Sequence, residues 1–354
     1  MTKIFNKELT LFEDSKFPST RFQGSKLKIA DWIWEGIKDL KFQTVLDAFG
    51  GTGSVAYMLK QKGKIVTYND ILKFNYYIGI ALIENDSVIL SRKDIDFLFA
   101  RHEGITYTDF IAETFRDIYY TDEENSWIDM VATNIRLLGD TYKQALAYFA
   151  LFQACIAKRP FNLFHRKNLY LRLANIKRDF GNKATWDTPF EVHFRRFVEK
   201  ANSAVFSNEQ TNRALNLDIF DVKEDFDLVY IDTPYISKKG VGIDYLGFYH
   251  FLEGLVNYEI WSDMIDYKSK HKRLKIKPSV WADKNQIHAA FDRLFQKFRD
   301  SIIVVSYRSD GIPSIEELAG MLNKYKKTIH EIQRKDYKYV LSKNEIEEIL
   351  FIGE

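Results

Sequence analysis

Hydrophobic and polar positions along the chain follow first a helical and then a strand-like rhythm. Over residues 26–40 the apolar side chains recur at helical spacing, which predicts a helix. The apolar run 44–46 predicts a buried strand, residues 54–62 a helix, and the β-branched run 64–70 a second strand. A strand, a helix and a strand in this order predict a right-handed unit in which the two strands are parallel.

A long helical stretch separates this unit from the remaining strands. Residues 71–204 are mostly helical in rhythm and rich in Tyr, Phe and Trp. Strand-like runs return at 204–206, 217–220, 228–231, 301–306 and 348–352. The pattern predicts a doubly wound α/β core, formed by residues 20–75 and 204–354, with a helical insertion at 76–203.

Composition narrows the class of protein. The 354 residues are 46% hydrophobic and 28% charged, as in a globular protein. The single cysteine, Cys155, excludes an internal disulfide and a cysteine-rich zinc site, and the seven histidines show no paired ligand spacing, so we expect no metal. The amino-terminal residues lack an apolar signal core, and no run reaches membrane-spanning length, which predicts a cytoplasmic protein.

A glycine-rich turn, Asp47-Ala-Phe-Gly-Gly-Thr-Gly53, follows the first predicted strand. Glycines at such a turn let a ligand approach the backbone closely. An acid at its head disfavours a phosphate and suits a cationic or amine-bearing ligand, unless Asp47 only satisfies the amides of the turn. Asp70 ends the next predicted strand, where related sites place the acid that hydrogen-bonds ribose hydroxyls, although a helix cap is the alternative.

A second motif, Asp232-Thr-Pro-Tyr235, follows the predicted strand 228–231. The exocyclic amine of adenine is a poor nucleophile because its lone pair is delocalised into the ring, so its methylation requires acceptors for both N–H groups. Asp232 can accept one hydrogen, and the backbone carbonyl of Thr233, fixed by the bend at Pro234, can accept the other. Tyr235 offers a stacking face for a base flipped out of a duplex. The alternative is an ordinary turn at the end of a strand.

Together the two motifs resemble those of bacterial adenine-N6 DNA methyltransferases of the Dam-like group, and the order of segments from about Arg21 onwards is similar. The resemblance implies a Rossmann-like methyltransferase core with a helical target-recognition insertion. It also implies S-adenosylmethionine as cofactor and double-stranded DNA as partner, with a flipped-out adenine methylated at N6. The implied catalytic residues are Asp232, Thr233, Pro234 and Tyr235. The residues implied to bind the cofactor are Phe22, Gly24, Lys26, Asp47, Phe49, Gly51, Gly53, Asp70 and Asp218.

One position departs from the family pattern: Thr233 stands where the family usually has Pro. We expect activity to survive this change because the contact implied there uses the backbone carbonyl. An acid at the head of the tetrapeptide, rather than Ser, favours adenine N6 over cytosine N4 as the target.

Basic residues concentrate in two runs, although the net charge is only +2. Residues 158–200 hold eleven Lys and Arg against four acids, and residues 268–277 hold six basic residues and no acid. Such clusters suit a phosphate backbone, although either run could be a solvated surface. Most protein–DNA contacts go to the backbone, so basic side chains of the insertion are predicted to contact phosphates. These side chains are Arg159, Arg166, Lys167, Arg172, Lys177 and Arg178.

Two other functions stay open on the sequence alone. An N-methyltransferase that acts on RNA or on protein glutamine would share the chemistry but generally lacks the long basic insertion. A catalytically silent DNA-binding relative would keep the fold without a complete active site. If the protein is a DNA methyltransferase, it belongs either to a restriction–modification system, with a cognate endonuclease as a separate protein, or acts as a solitary methylase.

Overall fold

The computed structural model describes residues 16–18, 20–22, 24–176, 182–223, 225–238, 240–330, 333–337 and 346–354. In these residues the strands are β1 (Thr44–Asp47), β2 (Ile65–Asn69), β3 (Arg213–Leu215), β4 (Leu228–Ile231), β5 (Ile236–Ser237), β6 (Ile302–Arg308), β7 (Gly311–Ile312), β8 (Gln333–Tyr337) and β9 (Ile346–Gly353). The first helices are α1 (Ala30–Ile37), α2 (Ser54–Gln61), α3 (Lys73–Gly79), α4 (Arg92–Leu98), α5 (Phe110–Thr114), α6 (Asp122–Leu137) and α7 (Thr141–Ala157). The remaining α-helices are α8 (Leu169–Leu173), α9 (Lys183–Asp187), α10 (Phe190–Asn202), α11 (Tyr245–Val256), α12 (Trp261–Met264), α13 (Ile287–Lys297) and α14 (Ile315–Leu322).

A seven-stranded sheet in the order β3-β2-β1-β4-β6-β9-β8 forms the centre of the protein. The first five strands of this order are parallel, whereas β9 runs antiparallel to both β6 and β8. The chain passes from β1 outwards to β3 and then crosses back to β4 on the other side of β1. This reversal between β1 and β4 is a topological switch point, the place where open α/β sheets bind their ligands outside the carboxyl ends of the strands.

Both faces of the sheet are covered, because alternate residues of each strand enter two different hydrophobic clusters. Val45 and Tyr230 pack on the side of α1, α2 and α3, whereas Leu46, Val229 and Ile231 pack on the side of α13 and α14. Strands buried on both faces explain the continuous apolar runs of the sequence. The predicted α/β, Rossmann-like fold is confirmed.

Between β2 and β3 the described residues form the helices α3 to α10, which are joined by loops. Its helices share one hydrophobic cluster with the sheet: Phe152 of α7 and Phe194 of α10 belong to the same cluster as Val45 and Val66. The hydrophobic core therefore continues across the predicted boundaries at 75/76 and 203/204. The division into two domains at these positions stays a prediction. Among the described residues, no helix combines the length and apolar character needed to cross a membrane.

Two of the predicted strands are wrong. Residues 204–206 are irregular, and the edge of β2 is paired by β3, which lies further along the chain at Arg213–Leu215. At 217–220 the Asp218 side chain accepts a hydrogen bond from the Phe220 amide at 3.0 Å and caps a short 3-10 turn. This local bond between side chain and backbone competes with strand pairing.

Candidate active site

The glycine turn joins β1 to α2 at the switch point. Gly51 and Gly53 have φ values of 51° and 77°, a left-handed conformation that glycine adopts without steric cost. Gly50 needs its glycine for another reason, since a Cβ there would lie 2.0 Å from the ring of Tyr68. The Tyr68 hydroxyl donates to the Gly51 carbonyl at 2.7 Å, so this ring supports the turn from below.

Asp47, at the carboxyl end of β1, is buried with 2% of its surface exposed. Its Oδ1 atom has no hydrogen-bond partner among the described residues. Burial, followed by repulsion from the nearby Asp232 carboxylate, raises the pKa of Asp47 to about 8. A buried carboxylate oxygen without a partner is costly, and a cationic ligand at this edge would relieve that cost.

Asp70 follows β2 and holds the glycine turn. Its carboxylate accepts hydrogen bonds from the amides of Gly51 at 2.9 Å and Leu72 at 2.8 Å and from the Asn75 side chain at 3.0 Å. Burial raises the pKa of Asp70 to about 6, although these hydrogen bonds oppose the shift.

Asp218 lies beside the same edge because its segment is tied to the end of β2. The side-chain amide of Asn69 donates to the Leu217 carbonyl at 3.2 Å, and that of Asn216 donates to the Asp70 carbonyl at 2.8 Å. Asp218 itself is exposed. The structure thus brings together two acids, Asp70 and Asp218, that are 148 positions apart in the chain.

Three aromatic rings line this edge next to the glycine turn. The half-buried Phe49 meets Trp281 edge to face with 5.0 Å between ring centroids, and Trp281 stacks on Phe220 at 5.9 Å. The glycine motif predicts Phe49, whereas no motif in the sequence points to Trp281 or Phe220. An apolar wall beside the acids Asp70 and Asp218 is a suitable surface for a purine ring.

The Asp232-Thr-Pro-Tyr turn is fixed at both ends by strands. Asp232 directly follows β4, and Ile236 begins β5, which pairs antiparallel with β7. Thr233 is buried, whereas the Asp232 side chain keeps 16% of its surface exposed. The turn therefore holds Asp232 at the switch point, near Asp47, with part of the carboxylate open to a ligand.

A buried charge network surrounds Asp232. The Lys26 ammonium lies 3.3 Å from Asp232 Oδ1 and 2.5 Å from Glu348 Oε1, and it donates to the Tyr235 hydroxyl at 2.6 Å. Glu348 on β9 is fully buried and also accepts from the Ser306 hydroxyl at 2.6 Å. Burial raises the pKa of Asp232 to about 6; the Lys26 ammonium lowers it and the Glu348 carboxylate raises it further.

Tyr235 contributes its hydroxyl to this network rather than an open ring face. The ring is 3% exposed, and its hydroxyl also donates to Asp232 Oδ1 at 3.1 Å. Tyr307 meets the ring edge to face at 6.1 Å, and the Arg308 guanidinium lies 5.5 Å from its centroid. A base can stack on Tyr235, as the sequence predicts, only after the side chains that cover the ring move.

The amino-terminal segment crosses the same edge of the sheet. Gly24 has a φ of 85°, and a Cβ there would lie 2.7 Å from the hydroxyl of Tyr245 at the start of α11. Phe22 is buried, edge to face with Tyr249 at 5.3 Å and 5.9 Å from Phe74. Among these predicted cofactor residues, Phe22 thus belongs to the core, and Lys26 points towards Asp232.

For two of the predicted DNA-binding residues the structure gives a correction. Arg159 is 1% exposed, and its guanidinium donates to the carbonyl of Leu163 at 3.1 Å. Arg172 is 4% exposed and forms a 2.7 Å ion pair with Glu124. Both guanidinium groups are enclosed by the protein and bind its own oxygen atoms, so neither reaches a phosphate.

The other predicted DNA-binding residues have different positions. Arg166 and Lys167 are exposed. Lys177 and Arg178 lie outside the described residues. In the part of the chain that the structure describes, no three His, Cys, Asp or Glu side chains lie together as they would to hold a metal ion.

The fold and the chemistry of this edge define the class of protein. One strand end carries a glycine turn and a buried acid suited to a cationic ligand, and the neighbouring strand end carries a partly exposed carboxylate able to accept hydrogen from an amine. Two such sites side by side at a switch point are those of an amino methyltransferase, which holds a methyl donor next to an amine.

Comparison with known proteins gives the family. The chain belongs to the family described as D12 class N6 adenine-specific DNA methyltransferase, whose model matches residues 22–255. It is therefore an adenine-specific DNA methyltransferase, and the predicted enzyme class is confirmed.

Its curated relatives are methyltransferases of similar or greater length. The chain is 31% identical over 317 residues to the Type II methyltransferase M2.HphI of Haemophilus parahaemolyticus, covering 87% of this chain and 88% of that protein. It is 25% identical over 335 residues to the Type II methyltransferase M.FokI of Planomicrobium okeanokoites, covering 86% of this chain but 47% of that protein. A third relative, the Type II methyltransferase M.CviAII of Paramecium bursaria Chlorella virus 1, is 21% identical over 350 residues, covering 93% of this chain and 96% of that protein.

Proposed function

We propose that this enzyme transfers a methyl group from S-adenosylmethionine to N6 of an adenine flipped out of duplex DNA, at a specific sequence, as the modification enzyme of a restriction–modification system. The observation that carries this proposal is the juxtaposition of Asp47 and Asp232 at one switch point. Asp47 ends β1 opposite Tyr230 of the neighbouring parallel strand β4, two residues before Asp232, and the Asp232 carboxylate contributes to the raised pKa of Asp47. A donor held at the first is therefore beside an amine held at the second.

The residues around the glycine turn fit such a donor. S-adenosylmethionine supplies an electrophilic methyl group on its sulfonium. Asp47, with its unpartnered Oδ1, would pair with the cationic amino group, and the turn at Gly51 and Gly53 would let the ligand approach the backbone. Asp70 would hold the ribose hydroxyls, and the rings of Phe49 and Trp281 would face the adenine ring, beside Asp218. We propose that Gly24 and Lys26 border this site and that Phe22 supports it through the core.

The tetrapeptide would prepare the target amine. An Asp232 carboxylate oxygen would accept a hydrogen bond from one N6–H group. The Thr233 backbone carbonyl, constrained by Pro234, would accept a hydrogen bond from the other. With both hydrogens engaged, the nitrogen lone pair turns out of conjugation with the ring and becomes available for an in-line attack. The Lys26 and Tyr235 contacts fix the orientation of the Asp232 carboxylate before the base arrives.

The same proposal implies which molecules the enzyme works with and in which compartment it acts. Arg166 and Lys167 are exposed on the insertion and would contact DNA phosphates, as would Lys177 and Arg178. The relatives named as Type II methyltransferases favour a modification role, with a cognate endonuclease as a separate protein. Acting on cellular DNA, the enzyme would work in the cytoplasm.

Sequencing with modified-base detection tests the proposal directly. The chain is expressed in cells that lack adenine methylation, and their DNA is compared with DNA from cells expressing Asp232→Ala. We expect N6-methyladenine at a single sequence motif in the first sample and none in the second. Unmodified adenines in both samples, with folded protein present, would refute the proposed activity.

We predict that Asp70→Ala weakens S-adenosylmethionine binding by about tenfold or more. The substitution removes the acceptor for the ribose hydroxyls and also the anchor of the Gly51 amide, and one hydrogen bond to a charged group contributes about 1.5–3 kcal/mol. Asp70→Asn keeps one oxygen and should fall in between. Titration calorimetry measures both, with Asp39→Ala, an exposed acid before β1, as the control. Wild-type affinity in Asp70→Ala would remove Asp70 from the site.

We predict that substitutions of the two charged residues beside Asp232 shift the pH dependence of turnover in opposite directions. The carboxylate must be ionised to accept hydrogen, so turnover should fall as pH drops through its pKa, which is about 6. Glu348→Gln removes a charge that raises this pKa, so the acid limb should move to lower pH. Lys26→Met removes a charge that lowers it, so the limb should move to higher pH. Single-turnover rates across pH measure both, and shifts in the same direction would contradict the assigned network.

A further inference from the structure

Two basic loops that are far apart in the sequence meet at one tyrosine. The first, residues 159–167, follows α7; the second, residues 265–274, is a hairpin closed by a bridge between Ile265 and Leu274. The Tyr119 hydroxyl lies 2.6 Å from the Phe164 carbonyl oxygen of the first loop and 3.0 Å from the His271 carbonyl oxygen of the hairpin. Tyr119 is fully buried, so it joins the two loops from beneath.

Arg159 and His250 complete this junction. The Arg159 guanidinium lies 4.2 Å from the centroid of the Tyr119 ring and donates to the carbonyl oxygens of Leu163 and Arg166 at 3.1 Å. His250 Nε2 lies 2.8 Å from the Tyr119 hydroxyl, and its ring is 5.6 Å from that of His271. The buried arginine therefore shapes the loop that carries Arg166 instead of binding DNA itself.

The outer surface of both loops is positively charged. Arg166 and Lys167 of the first loop and Lys268 and Lys270 of the hairpin are exposed. We call these four residues the basic face. The acid in the hairpin, Asp266, lies 3.4 Å from the Arg273 guanidinium and so offsets a cation outside this set.

Two half-buried histidines, one in each loop, are in the same positive environment. Burial, followed by repulsion from Arg166, Arg159 and His271, lowers the pKa of His165. Burial, followed by repulsion from Arg273 and Arg159, lowers the pKa of His271, against a small opposing effect of Asp266. Cations of both loops thus act on the same groups, as expected if the loops form one surface.

The junction is also connected to the active-site edge. The Phe164 amide donates to the Phe248 carbonyl of α11 at 2.9 Å, and the His165 ring lies 6.0 Å from that of Phe248. At the start of the same helix, the Tyr245 hydroxyl occupies the space that a Cβ on Gly24 would need, and burial and the Asp232 carboxylate raise the pKa of Tyr245. The loop that carries Arg166 and Lys167 is therefore held against the helix that begins at the active-site edge.

We propose that the hairpin 265–274 is a second DNA-binding element, which forms with the first loop one continuous surface for the phosphate backbone of the duplex. The proposal rests on the proposed function of the enzyme. Charge complementarity identifies the occupant, since four exposed cations spaced over two joined loops suit a polyanion that carries regularly spaced charges. The hairpin lies beyond the tetrapeptide, outside the helical insertion that the sequence identifies with DNA recognition.

Fluorescence anisotropy with a labelled duplex of random sequence tests this surface across a salt series. We compare the wild type with Lys268→Gln/Lys270→Gln and with Arg166→Gln/Lys167→Gln. The matched control, Lys41→Gln/Arg299→Gln, removes the same charge from residues that precede β1 and β6, at the opposite edge of the sheet. Each lost phosphate contact should reduce the slope of log affinity against log salt by about 0.9. We therefore expect a decrease of up to about two in each loop variant and none in the control.

The outcomes separate this proposal from the one on which it rests. Wild-type slope in Lys268→Gln/Lys270→Gln, together with a reduced slope in Arg166→Gln/Lys167→Gln, would overturn the hairpin's role and keep the DNA substrate. Absence of salt-dependent binding by the wild type would overturn both. The charge reversal Lys268→Glu/Lys270→Glu provides a second variant, for which we expect a further loss of affinity, with thermal unfolding unchanged in every variant.

Discussion

Asp232→Ala should reduce the rate of methyl transfer by about three orders of magnitude or more while leaving affinity for the methyl donor within about threefold of wild type. Preorganised acceptors and donors at a reacting group contribute about 10²–10³ each, and here the same carboxylate also orients the amine. Asp232→Asn keeps an oxygen of the same shape without its charge, so we expect an intermediate loss of about 10²-fold. Single-turnover transfer to duplex DNA measures the rate, and calorimetry measures donor binding.

A matched control is provided by the other end of the same strand. Asp227 immediately precedes β4, whereas Asp232 immediately follows it, so the two acids lie at opposite ends of this strand. The Asp227 carboxylate accepts from the backbone amides of Gln43 and Thr44 at 2.9 and 2.8 Å, a structural role. Asp227→Ala should therefore keep the wild-type rate of transfer. Transfer by Asp232→Ala at the wild-type rate would overturn the proposed mechanism.

The fold was largely predictable because its central strands are buried on both faces. A strand that must be apolar on each side produces a continuous run such as Leu228–Ile231, which periodicity alone detects. The edge strand β3 has only three residues, one of them buried, and leaves no such signal. Prediction failed where a side chain accepts a hydrogen bond from a nearby backbone amide, as Asp218 does from Phe220, because a single such bond decides between a turn and a strand.

Half of the site could be identified from local motifs, and half could not. The glycine turn and the tetrapeptide are each contiguous in sequence. Glu348 is 322 residues from its partner Lys26, and no local pattern connects them. A weaker signal existed: Glu348 alternates in phase with Leu350 and Ile352, which enter the core, so an acid at that position should be buried and paired.

Arginine content could not distinguish an interface from a core. Arg159 and Arg166 lie seven positions apart in the same basic run, yet one is enclosed by aromatic rings and carbonyl oxygens and the other is exposed. The guanidinium has five N–H donors and a flat face, so it can bind carbonyl oxygens and aromatic rings inside a protein as readily as it can bind a phosphate. Which role it takes depends on the tertiary surroundings, here on Tyr119 and Phe164.

The second large effect concerns Asp47, where the need to bind the donor opposes stability. The folded protein raises the pKa of this carboxyl to about 8, against about 3.9 in an unfolded chain. Between these two values the folded state holds a proton that the unfolded state has released. Stability of the donor-free protein should therefore fall as pH rises through this window. Pairing with a cationic ligand would favour the ionised form and release the proton.

Asp47→Asn should consequently stabilise the donor-free protein and abolish donor binding. Asparagine has nearly the same shape and carries no charge at any pH, so the penalty of ionising a buried group disappears. We expect the variant to match the wild type near pH 4 and to exceed its free energy of unfolding by on the order of 2–4 kcal/mol at pH 8.5. Loss of the charge that faces the donor's amino group should weaken binding by about 3 kcal/mol or more. Urea unfolding across pH and titration calorimetry measure the two effects.

Asp227→Asn should change the free energy of unfolding in the opposite direction. It therefore serves as a control for a general effect of removing an acid. Hydrogen bonds from the backbone amides of Thr44 and Gln43 lower the pKa of Asp227, so its stabilising contribution is present at neutral pH and is lost as pH falls through the folded pKa. Because Asp227 is exposed, its substitution should cost little, and only at neutral and higher pH. If Asp47→Asn were less stable than the wild type at pH 8.5, or bound the donor with unchanged affinity, Asp47 would be a structural residue of the turn. An increase in stability together with loss of binding would identify Asp47 as a ligand-binding acid. Its burial would then lower the stability of the fold, and its charge would bind the cationic donor.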